Sequence, residues 1–92
     1  MKIVIPKREH IEGTGFEDPV DMYYKPIIRN FYLRRLEIAM NVLDKENKEN
    51  VLEIGYGSGI LFCELNRRFR NIFGIDLHLN ASLVNDMLSK EN

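Results

Sequence analysis

Three glycines, Gly55, Gly57 and Gly59, directly follow a short apolar run and are the first candidates for chemistry. A chain that passes through glycines into a helix presents unpaired backbone N–H groups to a ligand. Glycine also allows positive φ values and close approach of the backbone. Two acidic residues accompany the turn: Glu53 precedes Gly55 by two residues, and Asp76 follows it by 21. The combination predicts a ligand site at the glycine turn.

The neighbouring residues predict the elements that position this turn. Residues 51–54 are short, branched and apolar, which indicates a buried strand of a parallel sheet. A second apolar strand is expected at residues 71–75 and ends at Asp76. A helix between the strands and another after them carry apolar residues at helical spacing: Ile60, Leu61, Phe62, Leu65 and Phe69, then Leu79, Leu83, Val84, Met87 and Leu88. Parallel strands joined by a helix indicate an α/β fold, whose ligands bind at the carboxyl ends of the strands.

The amino-terminal part predicts an arm followed by a helix. Residues 7–21 mix charges, Gly13, Gly15 and Pro19 with few apolar positions, so we assign residues 1–21 to a loop or loosely held arm. Residues 22–92 then form the domain. Its first helix has Pro26 in the first turn and an apolar stripe of Ile28, Phe31, Tyr32, Leu36, Ala39, Val42 and Leu43. Residues 44–50 contain no apolar side chain, so we expect a solvated connection after this helix.

Composition excludes several classes of function. The 92 residues include 13 Lys and Arg against 14 Asp and Glu, so we expect neither nucleic acid nor an anionic membrane surface as a partner. The single cysteine, Cys63, cannot form an internal disulfide or a multi-cysteine metal site, and we expect no metal and a cytoplasmic location. The apolar run in residues 1–6 is too short for an export signal or a membrane span.

The glycine spacing and Glu53 restrict the kind of ligand. Dinucleotide sites favour G-x-G-x-x-G, but Ile60 occupies the third glycine position and Gly59 comes one residue early. A nicotinamide-dependent dehydrogenase fragment therefore becomes a weaker alternative, although Asp76 could accept the ribose hydroxyls of any adenosine. Glu53 beside the turn disfavours a phosphate ligand, because the two negative charges repel each other.

At these residues the chain resembles the class I S-adenosylmethionine-dependent methyltransferases. Residues 51–59 (VLEIGYGSG) are similar to the first motif of that family and residues 73–76 (FGID) to the second, within a resemblance from about residue 36 to residue 87. The resemblance implies S-adenosyl-L-methionine as the cofactor. It also implies a partial Rossmann-like methyltransferase fold, with an amino-terminal helix followed by β-α-β-α and a short parallel sheet.

The resemblance further implies roles for individual residues. Glu53 would orient the methionine end of the cofactor, Asp76 would bind the ribose and Leu77 would lie against the adenine. The cofactor carries a sulfonium and an ammonium group, so an acid beside the turn is compatible with it. The candidate cofactor-binding residues are Glu53, Gly55, Tyr56, Gly57, Gly59, Asp76 and Leu77.

The sequence accounts for only the cofactor-binding part of such an enzyme. The family has a seven-stranded sheet, and its acceptor and base residues usually follow the fourth strand or later, so the catalytic residues and the methyl acceptor stay unassigned. A small molecule, a lipid-like quinone precursor, a protein and RNA all stay open as the acceptor, and we favour a small molecule because no basic surface is evident. The first strand is central in the family, so its open edge predicts self-association unless residues 1–5 pair with it.

A function of another class stays open: a non-catalytic α/β scaffold or assembly module with a vestigial nucleotide pocket. Several conspicuous side chains are expected to have structural roles in either case. We interpret His78 as solvated or locally hydrogen-bonded, Cys63 as a small core residue, and Tyr23, Tyr24 and Tyr32 as core aromatics. The arginines at positions 34, 35, 67, 68 and 70 are interspersed with acids and predict a solvated face.

Overall fold

A computed structural model describes residues 3–14, 18–43, 48–78 and 80–91. Two short 3-10 helices, Arg8–His10 and Val20–Tyr23, precede the regular elements. These elements are α1 (Ile28–Leu43), β1 (Asn50–Ile54), α2 (Phe62–Arg68), β2 (Asn71–Ile75) and α3 (Ala81–Glu91). The predicted α/β class and the order helix, strand, helix, strand, helix are confirmed. The predictions for Gly15, residues 44–47 and Leu79 lie outside the described residues.

The two strands pair in parallel, as the sequence predicts. Val51 lies opposite Ile72, and Glu53 lies opposite Gly74. Gly55 extends the ladder beyond β1, because its N–H donates to the carbonyl oxygen of Ile75 at 2.7 Å. The carboxyl ends of both strands therefore meet where the glycine turn begins, which is where ligands bind in open parallel sheets.

The prediction that residues 51–54 form a buried strand is wrong for one face of the sheet. Val51 and Ile72 pack against the hydrophobic core. Leu52 and Ile54 point the other way and are 51% and 78% exposed. Successive side chains of a strand alternate between faces, and the core to which the three helices contribute covers only the Val51 side. The branched, apolar composition indicated burial on both faces, which the described residues do not provide.

The core forms around the segment that follows the glycine turn. All five apolar residues predicted there are buried: Ile60, Leu61, Phe62, Leu65 and Phe69. The first two precede the first residue of α2 and lie in the turn itself. Val84 and Met87 of α3 are also buried, as predicted, and Leu88 packs against the same cluster. Helices α2 and α3 therefore pack into the core through the apolar residues that their helical periodicity predicts.

Helix α1 differs from its prediction in both its start and its buried face. It begins at Ile28, after a turn in which Ile27 has a φ of 70°, so Pro26 precedes the helix and does not lie in its first turn as predicted. Met40 is its buried residue, with Tyr32, Leu33, Leu36 and Leu43 half-buried beside it. Phe31 and Val42, predicted to face the core, are 73% and 68% exposed. The helix carries apolar residues on two faces, and only one of them meets the core.

The amino-terminal arm is packed more tightly than its composition indicates. Ile11 is 1% exposed and belongs to the core. The N–H of Val4 donates to Glu64 Oε1 at 2.8 Å, and the N–H of Lys7 donates to Glu91 Oε2 at 2.9 Å. Residues 3–5 therefore lie against α2 and do not pair with β1, so the expected covering strand is absent from the described residues. The remaining residues of that expected strand, Met1 and Lys2, lie outside them.

The arm lies where it does because a buried carboxylate holds it. Glu64 of α2 is 0% exposed and accepts from Val4 and from the guanidinium groups of Arg68 at 2.5 Å and Arg67 at 3.5 Å. A buried charge requires such partners. Arg68, whose side chain is 16% exposed, is consequently part of a largely buried ion pair, so the solvated face predicted for the five arginines is wrong at this position.

Candidate functional site

The glycine turn has the backbone conformation that its sequence predicts. Gly55, Gly57 and Gly59 have φ values of 77°, 57° and 83°, all in the region that favours glycine. A Cβ at Gly59 would also lie 2.8 Å from Cγ1 of Val84, so α3 needs a glycine there to pack closely. At Gly55 no heavy atom lies within 4 Å of a Cβ position. Gly55 is therefore uncovered on the side where a Cβ would lie. The N–H groups of all three glycines are already hydrogen-bonded, to Ile75, Asp76 and Tyr56, so the expectation of unpaired N–H groups is wrong at these positions.

Asp76 joins the end of β2 to the glycine turn. Its Oδ2 accepts the N–H of Gly57 at 2.7 Å, and its Oδ1 accepts the N–H groups of Leu77 at 2.6 Å and His78 at 3.4 Å. The hydrogen bond from Gly57, followed by those from Leu77 and His78, holds the pKa of the carboxyl below its usual value. The carboxylate is thus ionised at neutral pH and orders the two loops that border the site.

His78 fastens the same two loops and is locally hydrogen-bonded, as interpreted from the sequence. Its Nδ1 accepts the N–H of Asn80 at 3.0 Å, so its Nε2 carries the proton that is donated to the carbonyl oxygen of Gly57 at 2.9 Å. The ring also lies edge-on to Tyr56, with 5.0 Å between centroids. Gly57 is therefore held at both its N–H and its carbonyl group by the loop that follows β2.

Glu53 is the unusual acid of the site. It lies on the core side of β1, opposite Gly74, and its Oε1 is buried without a hydrogen-bond partner among the described residues. Burial, with a further contribution from the negative charge of Asp76, raises the pKa of Glu53 to about 7. A buried acceptor without a donor costs free energy, so a hydrogen bond from a donor group to this atom would be favourable.

Tyr56 supports the turn from the side of α2. Its ring packs against Phe62 with 5.2 Å between centroids. A Cβ at Gly74 would lie 2.6 Å from atoms of both rings, so β2 needs a glycine at the position where these aromatics cross it. Tyr56 was predicted to bind the cofactor. In the structure its ring packs against other side chains behind the turn.

An apolar cleft of about 270 Å³ lies at the carboxyl ends of the two strands. It is lined by Ile54, Gly55, Ile75, Asp76 and Leu77. Three of the predicted site residues, Gly55, Asp76 and Leu77, therefore meet in one cleft, and the side chain of Leu77 is 98% exposed there. Glu53, Tyr56, Gly57 and Gly59 lie behind or beside this cleft and do not line it.

A polar cluster that the sequence did not predict lies beside the turn. Oδ2 of Asp18 accepts from the N–H and the hydroxyl of Thr14, both at 3.0 Å. Asn80 donates from Nδ2 to the carbonyl oxygen of Thr14 at 3.0 Å. The carboxylate of Asp18 also lies 3.7–3.8 Å from a Cβ position at Gly57. The contacts of Asn80 with Thr14 and of Asp18 with Gly57 join residues far apart in the chain, so no local pattern predicts them.

The remaining reactive side chains have structural surroundings. Cys63 is half-buried, its thiol donates to Sδ of Met87 at 3.8 Å, and burial raises its pKa to about 11. Tyr23 packs edge-to-face on Tyr32 at 5.3 Å. In the described part of the chain, no group of three or more His, Cys, Asp or Glu side chains could hold a metal ion. No described helix has the length and apolar character needed to cross a membrane.

Comparisons with protein-family models, curated proteins and solved structures found no match for this chain. The chemistry must therefore be inferred from the site itself. The cleft combines the uncovered Cα of Gly55, the ionised carboxylate of Asp76 and apolar walls, and the carboxyl group of Glu53, with its raised pKa, lies outside the cleft lining. Such an arrangement can bind a ligand that has an apolar ring, hydroxyl groups and a positive charge.

Proposed function

We propose that the chain binds S-adenosyl-L-methionine and forms the cofactor-binding part of a methyltransferase with a Rossmann-like fold. The observation that carries the proposal is the buried Oε1 of Glu53, which has no partner among the described residues and lies two residues before the glycine turn. A cationic ligand group would supply the missing hydrogen bond and favour the ionised carboxylate. The resemblance of residues 51–59 and 73–76 to the family's motifs supports the same ligand.

The charges around the turn support a cationic cofactor over a phosphate. Asp76 is ionised, and Glu53 ionises near neutral pH. A pyrophosphate beside both carboxyl groups would be repelled, whereas an ammonium or sulfonium group would be attracted. The same argument disfavours a nicotinamide dinucleotide, in agreement with the position of Gly59.

The cleft supports binding of an adenosine group. Oδ2 of Asp76 accepts one hydrogen bond, from Gly57, and a carboxylate oxygen can accept two. It therefore retains capacity for one ribose hydroxyl, whereas Oδ1 already accepts two N–H groups. Leu77, Ile54 and Ile75 provide an apolar wall for the adenine.

The bound cofactor would supply an electrophilic methyl group on its sulfonium sulfur. The described residues would act on it by binding and orientation: Glu53 at the methionine end, the backbone of Gly55 along its path and Asp76 at the ribose. The acceptor and any base stay unassigned, and a small molecule fits the near-neutral charge of the chain best. The single cysteine supports a cytoplasmic location.

One observation favours the alternative of a non-catalytic α/β scaffold. All three hydrogen bonds of Asp76 go to backbone N–H groups of its own and the facing loop. The carboxylate could therefore be required for the fold of the turn alone. In that case association without ligand, rather than cofactor affinity, would be the property of the chain.

A proton–nitrogen NMR titration of the chain with S-adenosylhomocysteine tests the proposal. We expect saturable shifts of the amides of Glu53, Gly55, Gly57, Asp76 and Leu77. Glu53→Gln should weaken binding, because a neutral amide attracts an ammonium group less than a carboxylate does. Asp86→Asn, at an exposed acid of α3, is the matched control and should bind as the wild type does. A well-dispersed spectrum that does not change with ligand would contradict the proposal and favour the scaffold.

A further inference from the structure

The outer side of α1 carries large apolar side chains that stay exposed. They are Ile28, Phe31, Ile38 and Val42 of the helix, with Ile27 in the turn before it, and their exposed fractions lie between 40% and 81%. Intervals of three, seven and four residues place the four helical side chains in one stripe along α1. The stripe lies away from Met40, the residue that α1 buries in the core. We call this stripe, together with Ile27, Arg34 and Arg35, the outer α1 face.

The chain around the outer α1 face carries an excess of positive charge. The total charge of −1 predicts no attraction to an anionic surface, yet the charges are unevenly distributed. Residues 22–36 contain no acid and four cationic side chains: Lys25, Arg29, Arg34 and Arg35. Arg34 lies at the margin of the stripe and pairs with Glu37 at 3.3 Å. Arg35 lies within the stripe, and no described acid forms an ion pair with it. A partner that covers this face must therefore offer both apolar groups and negative charge.

We propose that the outer α1 face binds the surface of an anionic phospholipid membrane, with α1 parallel to the membrane plane. Such a surface presents phosphates to cations and, directly below them, acyl chains to apolar side chains. An amphipathic helix with cations beside its apolar stripe lies in this plane and inserts the apolar side chains below the headgroups. The 16 residues of α1 span about 24 Å, so the whole stripe contacts the surface at once.

Arg35 and Ile27 favour a lipid surface over a protein partner. Two copies of the chain that met through this face would bring their arginines together, which like-charge repulsion disfavours. An acidic helix of another protein would bury Arg35 among apolar side chains, at a cost in desolvation. At a lipid surface the long side chain of Arg35 instead keeps its guanidinium at the phosphates. Ile27 is 81% exposed and lies before the first residue of α1, where a helix packed along the stripe would leave it in water and a flat surface would not.

The membrane contact goes beyond the proposed cofactor function and does not depend on it. The cleft at the carboxyl ends of the strands is lined by residues 54, 55 and 75–77, and no residue of α1 is among them. The side chains of Phe31 and Arg34 are 73% and 63% exposed. Substitutions on the outer α1 face therefore test membrane binding and leave the cleft and the core of the protein intact.

Co-sedimentation of the chain with large unilamellar vesicles tests the proposal. We expect binding to vesicles of phosphatidylcholine mixed with phosphatidylglycerol and much weaker binding to vesicles of phosphatidylcholine alone. An increase in salt from about 0.1 M to about 1 M shortens the Debye length from about 10 Å to about 3 Å, so it should release the protein from the mixed vesicles. Glycerol phosphate at the same phosphate concentration should not displace the protein, because this soluble headgroup has no acyl chains.

Two variants with matched controls locate the contact. Arg34→Gln/Arg35→Gln should weaken binding about 25-fold, since each cation near an anionic surface contributes about fivefold. Lys7→Gln/Lys90→Gln removes the same charge from exposed positions on the arm and α3 and should bind as the wild type does. Phe31→Ser should weaken binding about tenfold, because its ring no longer enters the acyl region. Phe73→Ser removes a ring that is 57% exposed on the sheet and should have no effect.

Three results would overturn the proposal. A wild-type chain that stays in solution with the mixed vesicles would favour an acidic helix of another protein as the partner of this face. Equal binding to both kinds of vesicle would show that the arginines have no part in it. An equal loss of binding in a variant and its matched control would place the contact elsewhere on the chain. Arg34→Lys/Arg35→Lys, which keeps both charges, should bind as the wild type does, and circular dichroism of each variant separates loss of binding from loss of the fold.

Discussion

Replacement of Glu53 by glutamine should stabilise the free protein and weaken its binding of cofactor. Burial raises the pKa of Glu53 from 4.5 to about 7, so the folded state retains a proton that the unfolded state releases. The stability of the wild type must therefore fall as the pH rises from about 4.5 to about 7. Glutamine has nearly the same shape and cannot ionise, so Glu53→Gln lacks this fall in stability.

The size of the effect follows from the shift in pKa. A difference of about 2.5 pKa units corresponds to about 3 kcal/mol once the pH exceeds both values. At pH 5 the wild type has lost less than about 1 kcal/mol of this, because pH 5 is only about half a unit above the pKa of the unfolded state, where the loss begins. The stability advantage of Glu53→Gln should therefore grow by about 2–3 kcal/mol between pH 5 and pH 8.

Urea denaturation of the wild type and of Glu53→Gln at several pH values measures this difference. Asp86→Asn should give a curve parallel to the wild type, since the side chain of Asp86 is exposed. The same Glu53→Gln protein should bind S-adenosylhomocysteine more weakly, so stability and affinity change in opposite directions. Opposite changes in stability and affinity are expected for a binding residue that destabilises the free protein. Replacement of an acid with a purely structural role would instead lower the stability of the protein. Parallel curves for Glu53→Gln and the wild type would show that folding does not raise the pKa of Glu53.

Three further substitutions test individual contacts and backbone strain in the fold by urea denaturation. Gly74→Ala should lower stability by about 1–3 kcal/mol, because its Cβ would lie 2.6 Å from the rings of Tyr56 and Phe62; an unchanged midpoint would disprove this contact. Ile27→Gly should raise stability by up to about 1 kcal/mol, since it removes the strain of a φ of 70° at an exposed residue; a loss would show that the strain is absent. Glu64→Ala should lower stability by about 3 kcal/mol and release the arm at Val4, so the amide of Val4 should exchange faster; continued protection would contradict its role.

Local patterns in the sequence predicted the elements nearest to the site. The residues of β2 were predicted to the residue, and those of β1 within one residue, because a short apolar run bounded by glycines or polar residues is a local signal. The positive φ values at Gly55, Gly57 and Gly59 follow from a tight passage between strand and helix. The buried stripe after the turn follows from helical periodicity in the same way.

The site was predicted as a set of positions but not as a set of contacts. Glu53 and Asp76 could be selected from their places relative to the turn. The three backbone donors of Asp76, the contacts of His78 with Gly57 and Asn80, and the buried Oε1 of Glu53 could not be, because they depend on how two loops approach each other. Asp18 was missed for the same reason, since its closeness to Gly57 is created by the packing of the arm.

Periodicity, turn chemistry and charge are therefore properties of the chain alone, and they account for the parallel pair of strands, the glycine conformations and the near-neutral charge. The choice of which apolar faces are covered depends on how the elements pack together. Leu52 and Phe31 are as apolar as Val51 and Met40, yet the first two are exposed and the second two pack into the core. The hydrophobic effect is non-directional, so it favours burial of every apolar face, and the closest mutual fit of the helices, the arm and the sheet selects the faces that are buried.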